Sequence, residues 1–208
     1  PNRFPLGQSA QTFRLSTLEE ELQFIQGLNH STGRVAGIYP EIKQPAWHRK
    51  QGHDISRIVL PILAKYGYQT KQDDCWIQCF EFEETQRIRT ELGWQGRLVQ
   101  LLGGGKKDEP LMTPEGLAEI AKVADGIGPS IGSVVTGKTV ADRHVTSLVK
   151  DAHAVHLVVH PYTLRIDELP KCVTSPEELM HALFDEASVD GLFSDFPDVL
   201  VKWLHRAR

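Results

Sequence analysis

What most constrains this chain is an alternation. Short apolar runs of strand character recur at 35–43, 75–80, 97–102, 124–128, 155–162 and 191–195, and helical stretches separate most of them. Parallel strands need a long crossover between them, usually a helix, so this order predicts an α/β fold with a parallel sheet of about six strands. Ser16-Thr17-Leu18-Glu19-Glu20 carries two overlapping capping boxes, Ser16 with Glu19 and Thr17 with Glu20. Leu18, Leu22, Ile25 and Leu28 follow at helical spacing, which predicts a helix to about Asn29, before Gly33. Another helix is predicted over 54–66, with Ile55, Ile58, Val59, Ile62 and Leu63 on one face and Pro61 as an interruption. Others are predicted over 83–92, from Thr113-Pro114-Glu115, over 142–154, from the Ser175-Pro176-Glu177-Glu178 capping box, and over 197–205.

Two architectures fit this pattern. A closed (β/α) barrel of eight units takes about 250 residues, so a chain of this length with about six strands matches a TIM-type barrel lacking its first units. An open doubly wound sheet fits the strand count as well, but no strand is followed by the Gly-x-Gly-x-x-Gly of a dinucleotide fold. Gly103-Gly104-Gly105-Lys106-Lys107 lacks the spacing of a phosphate loop and reads as a flexible surface loop. The length suits a single domain over 1–208. The opening Pro1-Asn2-Arg3-Phe4-Pro5 resembles the middle of a loop, with no initiator Met, signal peptide or transit segment, so the chain reads as a fragment.

Charge and cysteine content exclude several functions. The net charge is -4 and no basic run occurs, which argues against a nucleic-acid partner. No apolar stretch approaches the ~20 residues of a transmembrane segment. Cys75, Cys79 and Cys172 are an odd number, and four strand steps set the first two roughly 13 Å apart, too far for a disulfide. Buried thiols are the expectation, compatible with cytoplasm or periplasm.

In a parallel barrel the chemistry sits at the C-terminal strand ends. Four such ends carry polar groups. In Tyr39-Pro40-Glu41-Ile42-Lys43, strand alternation puts Glu41 and Lys43 on one face. They read either as an ion pair or as a metal-ligating carboxylate beside a cation that meets an anionic substrate such as a phosphate. Gln78 and Phe80 share a face and could line a polar pocket. His160 and Tyr162 end an apolar strand in Val158-Val159-His160-Pro161-Tyr162-Thr163; His160 reads equally as a structural histidine. Asp195, in Phe193-Ser194-Asp195-Phe196-Pro197, is either a helix N-cap or a pocket-lining acid.

Together with Asp125-Gly126-Ile127-Gly128-Pro129, these segments resemble the bacterial glycerophosphodiester phosphodiesterases, in their larger, often periplasmic type. The resemblance runs from Arg3-Phe4-Pro5 through Gly27-Leu28-Asn29-His30 to the C-terminus, nearly the whole chain. It implies a TIM-type barrel that hydrolyses glycerophosphodiesters to an alcohol and glycerol 3-phosphate. It also implies a divalent metal held by three carboxylates, calcium in most members of this type and magnesium as the other choice. Glu41 matches one of those carboxylates and Lys43 the lysine near the phosphate. Gln78, Phe80, His160, Tyr162, Asp195 and Phe196 are carried as substrate-pocket candidates.

The departures are specific. The family's His-Arg-Gly, Glu-x-Asp and His-Asp segments, which supply two catalytic histidines and two metal carboxylates, are absent here, as they lie before the point where this chain begins. The loop after Leu101 is short, and 103–108 replaces aromatic-rich sequence. Calcium takes about 6–8 oxygen ligands, so one glutamate does not hold it. The expectation is a parent enzyme whose 208-residue piece is nearly inactive alone and, with open strand edges, prone to associate, a homodimer included. The alternatives are a phospholipase D-like or phosphoinositide phosphodiesterase on the same barrel, or a non-catalytic module that binds a glycerophosphoryl group.

Overall fold

The computed structural model describes residues 15–206. The loop-like opening with Arg3, Phe4 and Pro5 lies outside them. Helix α1 (Leu18–Thr32) begins at the second of the two predicted capping boxes. Thr17 Oγ1 accepts from the Glu20 amide at 3.3 Å, and the Glu20 carboxylate accepts from the Thr17 amide at 2.9 Å. Glu19 is drawn away from the first box by Lys65, whose Nζ donates to it at 2.7 Å. Gly33, at φ 67°, ends the helix in the left-handed conformation that glycine adopts without a Cβ clash.

Two helices follow, α2 (Pro45–Lys50) and α3 (Ile55–Lys65). Pro61 is accommodated inside α3. Four of the five predicted apolar residues of α3, Ile55, Val59, Ile62 and Leu63, pack against the core beside the buried Ser56 and Leu60, while Ile58 is 52% exposed. The reason is polar. The Ser56 hydroxyl donates to the buried Glu84 carboxylate at 2.5 Å, and Arg87 completes that network at 2.8 Å.

Strand β1 (Trp76–Cys79), helix α4 (Phe82–Thr90), strand β2 (Arg97–Leu102), helix α5 (Pro114–Ala121) and strand β3 (Gly126–Pro129) form successive parallel units. The prediction of one helix over 142–154 is corrected here. After α6 (Ile131–Val134), β4 (Val135–Thr136) pairs antiparallel with β5 (His144–Val145), and α7 starts only at Leu148 and runs to Ala154. Asp142 ends a 3-10 turn instead, because its carboxylate is held by the Thr139 amide at 2.6 Å and hydroxyl at 2.8 Å. Strand β6 (Val158–Val159), α8 (Pro176–His181) running into a π turn over Ala182–Glu186, and α9 (Pro197–Arg206) complete the described chain.

The main sheet has the order β1-β2-β3-β6, all parallel. The predicted strands at 35–43 and 191–195 are present as flanking segments joined by single parallel bridges. Ile38 pairs with Cys75 and Glu41 with Gln78 on one side, and Leu164 pairs with Ser194 on the other. Pro40 explains the interruption at the first edge. Its carbonyl accepts from the Gln78 amide at 3.0 Å, so its nitrogen also faces β1, but that nitrogen has no hydrogen to donate. The six runs therefore lie side by side in chain order, with four joined as continuous ladders.

Alternate residues of the strands pack outward under the helices. Ile38, Ile42, Ile77, Cys79 and Leu98 form one apolar cluster with Leu22, Leu60, Leu63 and Ile88 of the helices. Leu102, Ile127, Val159 and Leu164 anchor a second, with Leu117, Ile120, Val149, Leu179 and Leu183. Cys75, Cys79 and Cys172 are free and buried, as expected. No helix among the described residues is long and apolar enough to cross a membrane.

Candidate active site

The residues that alternate with the core positions face the concave side of the sheet. At its C-terminal end, Glu41, Gln78, Phe80, Leu101, Tyr162, Thr163 and Phe193 line a cavity of about 260 Å³. Glu41 and Gln78 are partners in register across two parallel segments. Gln78 is only 9% exposed. Neither its amide nor the Glu41 carboxylate has a hydrogen-bond or ion-pair partner among the described side chains, so both groups open on the cavity.

The walls are held by polar clamps behind them. Gln100 is fully buried on the outward side of β2. Its Nε2 donates to the carbonyls of Phe80 at 3.1 Å and Leu101 at 2.9 Å, and its Oε1 accepts from the Thr85 hydroxyl at 2.7 Å. The Tyr162 hydroxyl donates to the Leu102 carbonyl at 3.1 Å, and its ring meets Phe80 edge-on at 5.8 Å. Burial holds the Tyr162 phenol above its usual range, and the carboxylates of Asp108 and Glu41 add to the shift. Asp108 sits in the loop after β2, where it accepts from the Gly103 amide at 2.7 Å.

A second cavity of about 190 Å³ adjoins the first through Phe193 and is lined by Tyr39, His160, Gly191 and Leu192. Tyr39 Oη lies 3.0 Å from His160 Nδ1. Burial lowers the His160 pKa, with the Asp190 charge opposing it, and burial raises that of Tyr39. Both groups are thus uncharged at neutral pH, and they share a hydrogen bond whose direction follows the imidazole tautomer.

The structure therefore brings together Glu41, Gln78, Phe80 and Tyr162, with His160 in the next cavity. It does not bring Lys43, Asp195 or Phe196 to the cavity wall. Lys43 is exposed and forms no ion pair with Glu41 or any other described residue. Asp195 is exposed, with Arg165 at 3.8 Å, and the hydroxyl that caps the chain ahead of α9 is Ser194, accepting from the Phe196 amide at 2.9 Å. Phe193, Leu101 and Thr163 line the cavity without having been singled out. Alternation from Gly191 could have found Phe193; nothing in the sequence marks Asp108 as a neighbour of Tyr162.

The model of the glycerophosphoryl diester phosphodiesterase family matches residues 2–199. A glycerophosphodiester phosphodiesterase of Haemophilus influenzae is 40% identical over 226 aligned positions, covering 98% of this chain and 62% of that protein. One of Treponema pallidum is 34% identical, covering 97% of this chain and 62% of that protein. The chain thus spans about three-fifths of the length of these curated relatives. Two solved structures described as glycerophosphoryl diester phosphodiesterases share the fold. The one from Silicibacter pomeroyi has a TM-score of 0.63 at 19% identity over 91% of this chain and 56% of that one. The one from Agrobacterium tumefaciens has a TM-score of 0.59 at 13% identity over 93% and 66%.

Proposed function

The chain belongs to the glycerophosphoryl diester phosphodiesterase family, and from that premise we propose that it forms the C-terminal part of an enzyme barrel that hydrolyses glycerophosphodiesters to an alcohol and glycerol 3-phosphate. The observation that carries the reading is the paired, unpartnered Glu41 and Gln78, opening on an aromatic-walled cavity at the C-terminal strand ends. The Gln78 amide opens on the cavity with no protein partner, so a ligand there can take the place of water on it. In this reading the Gln78 amide donates to a phosphoryl oxygen or glycerol hydroxyl. Phe80, Tyr162 and Phe193 cover the glycerol carbons and exclude water. Lys43, exposed two residues after Glu41, supplies positive charge to the approaching phosphodiester.

The divalent ion that the family implies does not fit the residues at hand. Among the described residues no group of three or more His, Cys, Asp or Glu could hold a metal, and Glu41 is the single carboxylate lining the cavity. Calcium or magnesium would need Glu41 to be joined by carboxylates from other barrel units. Hydrolysis also replaces the alcohol oxygen on phosphorus by a water oxygen and moves a proton to the leaving group. No histidine lines this cavity, and His160 Nδ1 is engaged by Tyr39 next door. We therefore propose that the 208-residue chain alone is nearly inactive.

The test compares this chain with the longer protein that includes the units before it, on a panel of glycerophosphodiesters. The longer protein should release glycerol 3-phosphate and the 208-residue chain should not. Glu41→Gln in the longer protein should lower turnover by about 10²-fold or more, the scale of one lost electrostatic group. A longer protein that cleaves no glycerophosphodiester would remove the function; a short chain of comparable rate would remove the claim of inactivity.

A further inference from the structure

We infer that Tyr39 and His160 are positioning residues, a brace across the concave face that holds Glu41 at the cavity. The segment that carries Glu41 needs such a brace. Among the described residues it pairs on one side only, through four hydrogen bonds to the 74–78 stretch: Ile38 to Asp74, Trp76 to Ile38, Gln78 to Pro40 and Ile42 to Gln78, at 2.8–3.0 Å. Pro40 removes the ladder bond that would fall between them. An edge segment with an interrupted ladder is free to shift, and a shift there carries Glu41 with it.

Tyr39 is on the same face as Glu41, two residues earlier. Its hydroxyl reaches His160 Nδ1 at 3.0 Å, across 121 residues of chain and from the first of the six runs to the fifth. Its ring meets Phe193 edge-on at 4.7 Å and stacks on Trp76 at 6.0 Å. The far end of the brace is firm. The His160 amide donates to Ile127 of β3 at 2.9 Å. The imidazole edge meets Trp76 at 5.1 Å. Gly191 leaves room for it: a Cβ there would lie 2.9 Å from His160 Cδ2. His160 thus has a structural task that touches neither substrate nor reacting atoms, and acts on the cavity through Tyr39 and Phe193.

This inference rests on the proposed function for its catalytic consequence, but its core is testable without activity. Amide hydrogen exchange of the 208-residue chain is measured by NMR for wild type and Tyr39→Phe, which keeps both ring contacts. The Ile42 amide should exchange at least tenfold faster in the variant, with the Leu101 amide of β2 unchanged. His160→Leu should do the same, His160→Asn should retain most of the protection because its amide can accept from the phenol, and the double variant Tyr39→Phe/His160→Leu should be no worse than either single one. In the longer protein, Tyr39→Phe should lower kcat about tenfold with KM changed less than twofold. Unchanged Ile42 exchange in folded Tyr39→Phe, or additive effects in the double variant, would overturn the brace. If the longer protein hydrolyses nothing, the enzymatic reading falls while the exchange data still decide this one.

Discussion

Glu41 and Gln78 were legible as residues because charged and amide groups at the end of an apolar strand have a cost that packing does not offset. Lys43 was read by the same alternation, and the structure leaves it exposed and outside the residues that line the cavity. The chain leaves the strand after Ile42, with Gln44 at φ 48° leading into Pro45 of α2, so Lys43 points to solvent. Gln78→Ala should raise KM about tenfold in the longer protein, the scale of one hydrogen bond to a charged group, with the fold unchanged; steady-state kinetics check it. His160 makes a stability prediction. Burial holds its pKa below the ordinary value near 6.5, and Asp190 opposes this weakly. The unfolded chain takes up a proton there that the folded chain resists, so this contribution is complete above about pH 6.5 and is lost progressively as pH falls from there through the lowered folded-state value. A plot of Tm against pH from 7.5 to 5 should therefore be flatter for His160→Asn than for wild type. Equal slopes would assign the acid sensitivity to other groups.

At the scale of elements, the capping signals were the most dependable. Thr17, Thr113 and Ser175 all cap where the sequence places them. These signals are local, and no tertiary contact competes for the same hydroxyls. Failure came where a competitor existed. Asp142 begins no helix because Thr139 holds it, and Ile58 is not core because Ser56 must reach Glu84. The start of α5 offers a test of opposite sign to the usual rule. Replacing a helical glycine by alanine ordinarily stabilises by about 0.5–1 kcal/mol. A Cβ on Gly116, however, would lie 2.1 Å from the Pro110 carbonyl oxygen and 2.6 Å from Leu111 Cα. Gly116→Ala should therefore destabilise, by about 1–3 kcal/mol as for overpacking. Urea unfolding measures it; a stabilised variant would mean that the turn Glu109–Met112 yields freely.

For the whole molecule, the dominant fact is an edge at 35–43 that pairs on one side only among the described residues. Phe24 and Leu28 on α1 are 63% and 44% exposed, and Val35 beside the interrupted edge is 79% exposed. Exposed edges with apolar neighbours template association, so the 208-residue chain should show a mass by light scattering that rises with concentration, reduced by Phe24→Glu with Val35→Lys. A concentration-independent monomer mass would refute this. The strand-helix order, the parallel sense and the capped helix starts were determined by the sequence itself, because periodicity and capping act within a few residues. Only the tertiary structure decided which strand ends share a cavity, that Phe193 belongs to it and Asp195 does not, and that Tyr39 spans to His160. Those are consequences of how the sheet curves and where each run leaves its ladder, and they depend on contacts between residues more than a hundred positions apart.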